Sequence, residues 1–311
     1  FCVSVPFPGC LVGALSLAQA LRARFGSRAV ISMGGGYVNT ELRDYSGGDL
    51  FRYVDLLSLD RGYGGYAALF RELATQGSSR NNSESSSLDG PAGSSRNNGE
   101  SSSPDAVSGR RIIRCPEEFR AFEDLMTETL VPDYGDVDFS KYPRLSDSAN
   151  PMHRLWSDGA WIKAYLAHGC YWHRCSFCDV SLDYIRSYRP VDVQNLYAGL
   201  RKQALGKGLS GIHLVDEAAP PRALRDFARE NLVASGAAPT GGLLSFWGNI
   251  RFERTFSRDL ADFLSAGGLV GVSGGIEIAS PSGFKAVDKG IDLENLVAVC
   301  AAFKEAGVLV H

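Results

Sequence analysis

The sequence predicts an α/β protein of 311 residues, in which a truncated Rossmann-like half-domain is followed by an incomplete (β/α) barrel. Three observations carry that expectation. Short apolar runs alternate with amphipathic helical stretches in both halves, the pattern of βαβ units around parallel sheets. A polar, Ser-rich stretch over 77–108 interrupts the alternation. In the second half, polar groups fall at the carboxyl ends of successive strands, the rim on which (β/α) barrels build their chemistry. The expected organisation is a Rossmann-like domain over 1–76, a low-complexity disordered insert over 77–108, a helix and connector over 109–155, and the barrel over 156–311.

In the first half, Cys2–Phe7 is a short apolar run closed by Pro8-Gly9. Leu11, Leu15, Ala18, Leu21 and Phe25 then recur at helical spacing, with Gly26 as a stop signal. Ala29–Met33 reads as a strand running into Gly34-Gly35-Gly36, and Val54–Leu59 reads as another after a helical stretch around Asp49–Tyr53. A further helix carries Tyr66, Leu69, Phe70 and Leu73. In parallel sheets ligands sit at the carboxyl ends of the strands. Here those ends hold Ser4 and the three glycines, which let a backbone approach a phosphate or nucleotide closely. The run does not match G-x-G-x-x-G opening a helix, and no acidic residue follows at the dinucleotide spacing, so NAD is disfavoured.

Residues 77–108 contain Gly-Ser-Ser-Arg-Asn-Asn twice, each time followed by a Glu-Ser-Ser-Ser run. Such a segment buries too little to offset its ordering entropy. Arg111–Arg114 and a helix with Phe119, Phe122, Leu125, Met126 and Leu130 resume the fold. Val131–Asn150 is rich in turn formers, and its Tyr134, Phe139 and Tyr142 read as packing anchors.

The second series begins with Trp161–Ala167 and a cysteine loop, followed by a helix bearing Val193, Leu196, Tyr197, Leu200 and Ala204. Strands over Gly211–Glu217, from Leu243 and over Leu269–Ser273 follow, each with its helix, and Val308–Val310 starts a fifth strand. The loop Cys170–Cys178, Asp216-Glu217, Asn249–Glu253 and Glu277 occupy the ends of consecutive strands. Both chain ends read as cut inside structured elements, so the expectation is a piece of a longer protein.

Composition narrows the function. A formal charge of −3 and a pI near 6.0 show no footprint for nucleic acid or anionic membrane. No apolar run approaches the length of a membrane span. Three of the seven cysteines are clustered, which suits a reducing, cytoplasmic compartment where thiols stay free for metal. Cys2, Cys10, Cys115 and Cys300 read as ordinary packing residues.

Cys170, Cys175 and Cys178 are spaced C-x₄-C-x₂-C. Three thiolates on one loop can hold three irons of a [4Fe–4S] cluster and leave the fourth open for a small molecule. A structural zinc site, with His168 or His173 as fourth ligand, is the alternative. An iron–sulfur electron carrier needs a fourth cysteine, and none lies near the loop.

With His168-Gly169-Cys170 through Cys178, the strand ends Val215-Asp216-Glu217 and Gly274-Gly275-Ile276-Glu277, and Val287–Gly290, the sequence resembles the radical S-adenosylmethionine enzymes. Gly34–Arg43 in a Rossmann-like domain upstream resembles the class with an N-terminal cobalamin-binding domain. The resemblance spans nearly the whole chain apart from 77–108. It implies that Cys170, Cys175 and Cys178 ligate a [4Fe–4S] cluster whose open iron chelates S-adenosyl-L-methionine, and that one electron releases a 5′-deoxyadenosyl radical from it. By position, Phe177 would shield the cluster or touch the adenine, Asp216 and Glu217 would receive the methionine amino group, and Glu277 would lie near the ribose. Arg251 and Lys289 would face the methionine carboxylate or remain solvated. Ser4, Gly34, Gly35 and Gly36 would border cobalamin. The implied reaction is cobalamin-assisted methyl transfer to a small-molecule or peptide substrate, with an electron donor such as flavodoxin or ferredoxin. Two departures stand out. The commonest spacing in that superfamily is C-x₃-C-x₂-C, and no histidine precedes His153 to serve as a D-x-H-x-x-G cobalt ligand.

Overall fold

The structure is a computed structural model that describes residues 1–84, 112–142, 147, 149, 161–237 and 242–311. The expected low-complexity insert therefore lies outside the described residues from position 85 onward, as does most of the connector beyond Tyr142. The described chain divides into two compact units, Phe1–Asp124 and Leu125–His311.

The first unit is a parallel α/β sheet. Strands β1 (Cys2–Ser4), β2 (Ser32–Gly34), β3 (Leu56–Ser58) and β4 (Ile112–Ile113) lie side by side in sequence order. Helix α1 (Leu11–Phe25) matches the apolar periodicity and stops at Gly26. A single turn, α2 (Gly36–Asn39), follows the glycine run, and α3 (Tyr63–Glu84) continues through the first eight residues of the stretch in which composition predicts disorder. The helix expected around Asp49–Tyr53 is only a 3₁₀ turn, Leu50–Arg52. So few residues between Gly48 and Val54 cannot repay the cost of nucleating an α-helix. Val5, Ala18, Ile31, Met33, Val38, Val54, Leu57 and Leu59 form the core. Helix α4 (Arg120–Thr129) contains the division between the units.

The second unit holds five parallel strands in the order β5 (Trp161–Ala164), β8 (Gly211–Leu214), β9 (Ser245–Asn249), β10 (Leu269–Ser273) and β11 (Leu309–Val310). Each strand pairs with the next in sequence, as in the wall of a (β/α) barrel. Between β5 and β8, β6 (Ala167–His168) pairs antiparallel with β7 (Arg189–Pro190), and α5 (Asp183–Arg186) lies in the intervening loop. The crossover helices are α6 (Val193–Gly206), α7 (Pro221–Ala237), α8 (Arg258–Ala266), α9 (Pro281–Val287) and α10 (Leu293–Glu305). Asp192, Ser257, Ser280 and Asp292 cap four of them by accepting an N–H of the first turn.

Alternation along the strands sorts the two faces. Ile162, Ala164, Ile212, Leu214, Phe246 and Val272 point into the core with Leu196, Leu200, Phe227, Leu264 and Phe303 of the helices. Lys163, His213 and Trp247 occupy the intervening positions, in register across β5, β8 and β9. Of the connector aromatics, Tyr134 and Phe139 pack against this core, whereas Tyr142 is exposed.

Candidate functional site

The sequence expects β5 to run unbroken through Ala167, but the strand stops at Ala164. Val215 N–H donates to the Ala164 carbonyl as the last link across to the β8 side. Beyond it, the Asp216 carboxylate accepts the N–H groups of Leu166 at 2.9 and 3.0 Å and of Ala167 at 2.9 Å. Those two donors are thereby taken from any ladder, and the chain turns into the cysteine loop.

The loop is fastened at several points to the end of α9. The Ser176 N–H donates to the Val287 carbonyl at 3.0 Å, and Ser176 Oγ donates to the Ala286 carbonyl at 2.9 Å. Trp172 Nε1 donates to the Asp288 carbonyl at 2.7 Å, and Arg174 pairs with the Asp288 carboxylate at 3.2 Å. The guanidinium of Arg251 lies 3.9 Å from the Trp172 ring centroid and 5.3 Å from that of Tyr171. Its Nη1 donates to the carbonyls of Lys289 and Gly290, and its Nη2 pairs with Glu253. Arg251 thus joins the first half of the loop to the turn after α9.

Cys170, Cys175 and Cys178 share one cavity of about 260 Å³ with Phe177, Glu217, Asn249, Arg251, Ser273, Glu277 and Lys289. The wall comes from the cysteine loop and from the ends of β8, β9 and β10. Lys289 Nζ donates to the Gly275 carbonyl at 2.5 Å and pairs with Glu277 Oε1 at 2.8 Å, and it lies 5.9 Å from the Phe177 ring centroid. Glu277 holds a left-handed backbone with φ +65°, an uncommon conformation for a non-glycine residue.

Burial dominates the electrostatics. It raises the Glu217 carboxyl, an effect that the His168 charge opposes. It pushes the Cys175 thiol up to about 11, with the neighbouring Cys178 adding to the rise and Lys289 opposing it. Burial also raises Asp216 to about 7 against the pull of its backbone donors. His168 Nε2 is bonded to Asp183 at 2.9 Å, and His173 Nδ1 to the Cys170 carbonyl at 2.9 Å. Both rings therefore have a nitrogen committed elsewhere. Among the described residues no three His, Cys, Asp or Glu side chains converge as the ligands of a single metal ion would. A cubane asks for a different arrangement, because each cysteine binds its own iron. The donor set fits such a cluster with a polar cosubstrate beside it. Arg251 Nε is buried without a hydrogen-bond partner among the described residues, and acidic and basic side chains line the same cavity as the thiols.

The residues singled out in the sequence divide on this geometry. Cys170, Cys175, Cys178, Phe177, Glu217, Arg251, Glu277 and Lys289 all line the cavity. Asp216 does not, since its carboxylate is turned to the backbone of Leu166 and Ala167. Arg251 lines it with a guanidinium already engaged by two carbonyls, Glu253 and two rings. Trp172, Asn249 and Ser273 also line the wall without a role assigned from sequence. Asn249 Nδ2 donates to the Asp216 carbonyl at 3.2 Å, so it braces the β8 end as well. The only sequence signal for Asn249 and Ser273 is their place at the ends of two strands.

In the first unit the glycine run has a packing reason. Gly35 has φ +100°, and a Cβ there would stand 2.8 Å from Ser4 Oγ and from the Val5 nitrogen. The Val5 N–H donates to the Gly34 carbonyl, and the Tyr37 N–H donates to the Val5 carbonyl. Ser4 and Gly34, Gly35 and Gly36 thus meet each other at the ends of β1 and β2. That close approach gives Gly35 a packing reason of its own.

No protein-family model matches the sequence, and no curated protein matches it. Solved structures do match. The radical S-adenosylmethionine methyltransferase TsrM from Kitasatospora setae, with tryptophan substrate and a S-adenosylmethionine analogue bound, superposes with a TM-score of 0.63 at 19% identity. The match covers 99% of this chain and 55% of that one. TsrM with cobalamin and a [4Fe–4S] cluster bound gives 0.62 at 18% identity over 99% and 56%. The cobalamin-dependent S-adenosylmethionine radical enzyme OxsB gives 0.56 at 14% identity over 100% and 40%. The chain spans about half the length of these proteins. With its two parallel sheets, it has the fold that TsrM and OxsB share.

Proposed function

We propose that this chain belongs to a radical S-adenosylmethionine enzyme whose [4Fe–4S] cluster is held by Cys170, Cys175 and Cys178. The observation that carries the reading is the shared cavity, in which three thiols from one loop face Glu217, Asn249, Ser273, Glu277 and Lys289 from the next three strand ends and the turn beyond. When bound, the cluster and S-adenosylmethionine supply one-electron cleavage of a carbon–sulfur bond. The protein's own contribution is placement. Asp216 and the turn after α9 fix the loop that would present the three thiols to the cluster. Glu217 and Glu277 offer carboxylates to the amino and hydroxyl groups of the cosubstrate, and Lys289 offers a cation to its carboxylate. Phe177, half-exposed on the cavity wall, covers the thiols from water.

Cobalamin-assisted methyl transfer is the finer reading. It rests on the similar structures, TsrM being a methyltransferase and OxsB a cobalamin-dependent enzyme, and on the Rossmann-like first unit. The substrate would be a small molecule or peptide, and the electron would come from a donor such as flavodoxin or ferredoxin in a reducing compartment. Among the described residues no helix is long and apolar enough to cross a membrane.

Anaerobic reconstitution with iron and sulfide tests the proposal. Brown protein that cleaves S-adenosylmethionine to 5′-deoxyadenosine on reduction, and loses both properties in Cys175→Ala, is the expected result. Colourless protein with one tightly held zinc would overturn it.

A further inference from the structure

The sheet of the second unit carries a slot that none of the roles above uses. His213 on β8 and Trp247 on β9 stand in register, and their rings stack with centroids 3.7 Å apart and planes 7° apart. One strand further, the position in register with Trp247 is Gly271, and beyond it stands Leu309 on β11. All four lie on the face opposite the core, because Ile212, Phe246 and Val272 beside them are buried in it.

The backbone conformation does not demand glycine at 271. Its φ is not positive. A Cβ there would lie 3.8 Å from the Trp247 Cβ and 3.7 Å from the Leu309 Cβ, which are ordinary contact distances. Glycine also weakens a strand, and inside one it often marks a bulge or a place where a ligand comes close; the β9–β10 pairing shifts register between Leu269 and Gly271. What it leaves here is space. The two contact distances from a Cβ at 271 put the Trp247 and Leu309 Cβ atoms at most about 7.5 Å apart. A flat ring between two walls needs two contact distances, about 7–8 Å. One wall is the Trp247 indole face turned away from His213, and the other is Leu309, an exposed leucine. Burial, and after it the Lys163 charge, lowers the His213 pKa.

The slot also leads somewhere. Asn249 and Ser273 stand two residues beyond Trp247 and Gly271 on the same face, and both line the cysteine cavity. Two strand residues rise about 6.6 Å. Ser273 Oγ lies 3.1 Å from His311 Nδ1, so polar groups stand between the slot and the cavity. From this arrangement we infer that the slot between Trp247 and Leu309, over Gly271, seats a neutral planar aromatic group of the substrate, inserted as the next ring of the His213–Trp247 stack. The inference rests on the proposed function for the word substrate; the ring site itself rests on the sheet alone.

The test uses the cluster-loaded chain with 2-naphthamide and its fully saturated counterpart as probes, read by saturation-transfer NMR and calorimetric titration. The expected result is that the wild-type chain binds the flat probe at least tenfold more tightly than the saturated one. Gly271→Val, which fills the slot, should lose that binding at least tenfold while iron content and 5′-deoxyadenosine formation without substrate stay within twofold. Should Gly271→Val fail to fold, Trp247→Leu, which removes one wall, carries the same expectation. No binding of the flat probe to wild type, equal binding of both probes, or undiminished binding to the variants would overturn the inference. Displacement of 2-naphthamide by S-adenosylmethionine would assign the slot to adenine and overturn it as a substrate site. Wild-type chain that binds the probe but never cleaves S-adenosylmethionine would sink the radical reading instead, so the two failures are distinct.

Discussion

Trp172 Nε1 donates to the main-chain carbonyl of Asp288 across 116 residues of sequence, at 2.7 Å. The bond turns the loop between the first two candidate ligands into an extension of the turn after α9, where Ser176 also donates to Ala286 and Val287. Lys289, whose ammonium faces the cavity, is the next residue of that turn. Trp172→Phe keeps the ring over Arg251 and removes the donor, which should cost about 1 kcal/mol. Trp172→Ala also strips the ring from Arg251 and should cost about 3–5 kcal/mol. Hydrogen exchange in the metal-free chain checks the arrangement, because the Ser176 amide should lose protection in both variants. Protection equal to wild type would show that the loop holds its shape without this anchor.

Gly290 makes the same contact possible from the other side. Its φ is +68°, and a Cβ there would collide with the Trp172 ring and approach Arg251 Nη1 to 2.8 Å. A left-handed backbone suits glycine, and the collision adds to the strain of any side chain. Gly290→Ala should therefore destabilise the second unit by about 1–3 kcal/mol and lower the iron retained after reconstitution. Urea unfolding and iron analysis of the variant measure the two effects. A variant as stable as wild type, with full iron, would mean that Trp172 can move aside freely.

The cysteines and the acidic strand ends could be read from sequence because both depend on side-chain type at a local spacing. The choice between Asp216 and Glu217 could not. Adjacent residues leave a strand on opposite sides, and two carboxylates in sequence do not say which side holds the cavity. The anchors of the loop were invisible for another reason. Ala286, Val287 and Asp288 contribute main-chain carbonyls, which every residue possesses. Helix α9 itself escaped the apolar periodicity, since seven residues carry barely two turns; its one signal is Ser280-Pro281, a cap with proline at the first helical position. Gly34–Gly36 show the reverse case. Their pattern reads as a ligand loop, and the approach of Ser4 and Val5 adds a packing demand at Gly35 that the pattern does not announce.

Glu277 and Lys289 form an ion pair at the cavity wall. A cosubstrate carrying both an amino and a carboxylate group can exchange that internal pair for pairs of its own. Glu277→Gln keeps the size of the side chain and removes its charge. It should weaken S-adenosylmethionine binding about tenfold, equivalent to about 1.4 kcal/mol, with iron per chain unchanged. Calorimetric titration beside iron analysis separates the outcomes. Iron that falls along with affinity would assign Glu277 to holding the loop rather than the cosubstrate.

Asp216 offers a test by pH. Burial raises its carboxyl to about 7 in the folded chain, well above the ordinary carboxylate range, although the N–H groups of Leu166 and Ala167 favour its charge. The folded state then binds a proton that the unfolded state releases between about pH 4 and pH 7. Stability from this residue is fully present below the unfolded pKa and declines as pH rises through the folded one. Asp216→Asn cannot titrate, and its side-chain oxygen can still accept an N–H from the same backbone. The advantage of wild type over Asp216→Asn should therefore shrink steadily from pH 4 to pH 8, as followed by urea unfolding at each pH. An advantage that grows over that range would mean that the three hydrogen bonds outweigh burial and that Asp216 is charged in the folded chain throughout.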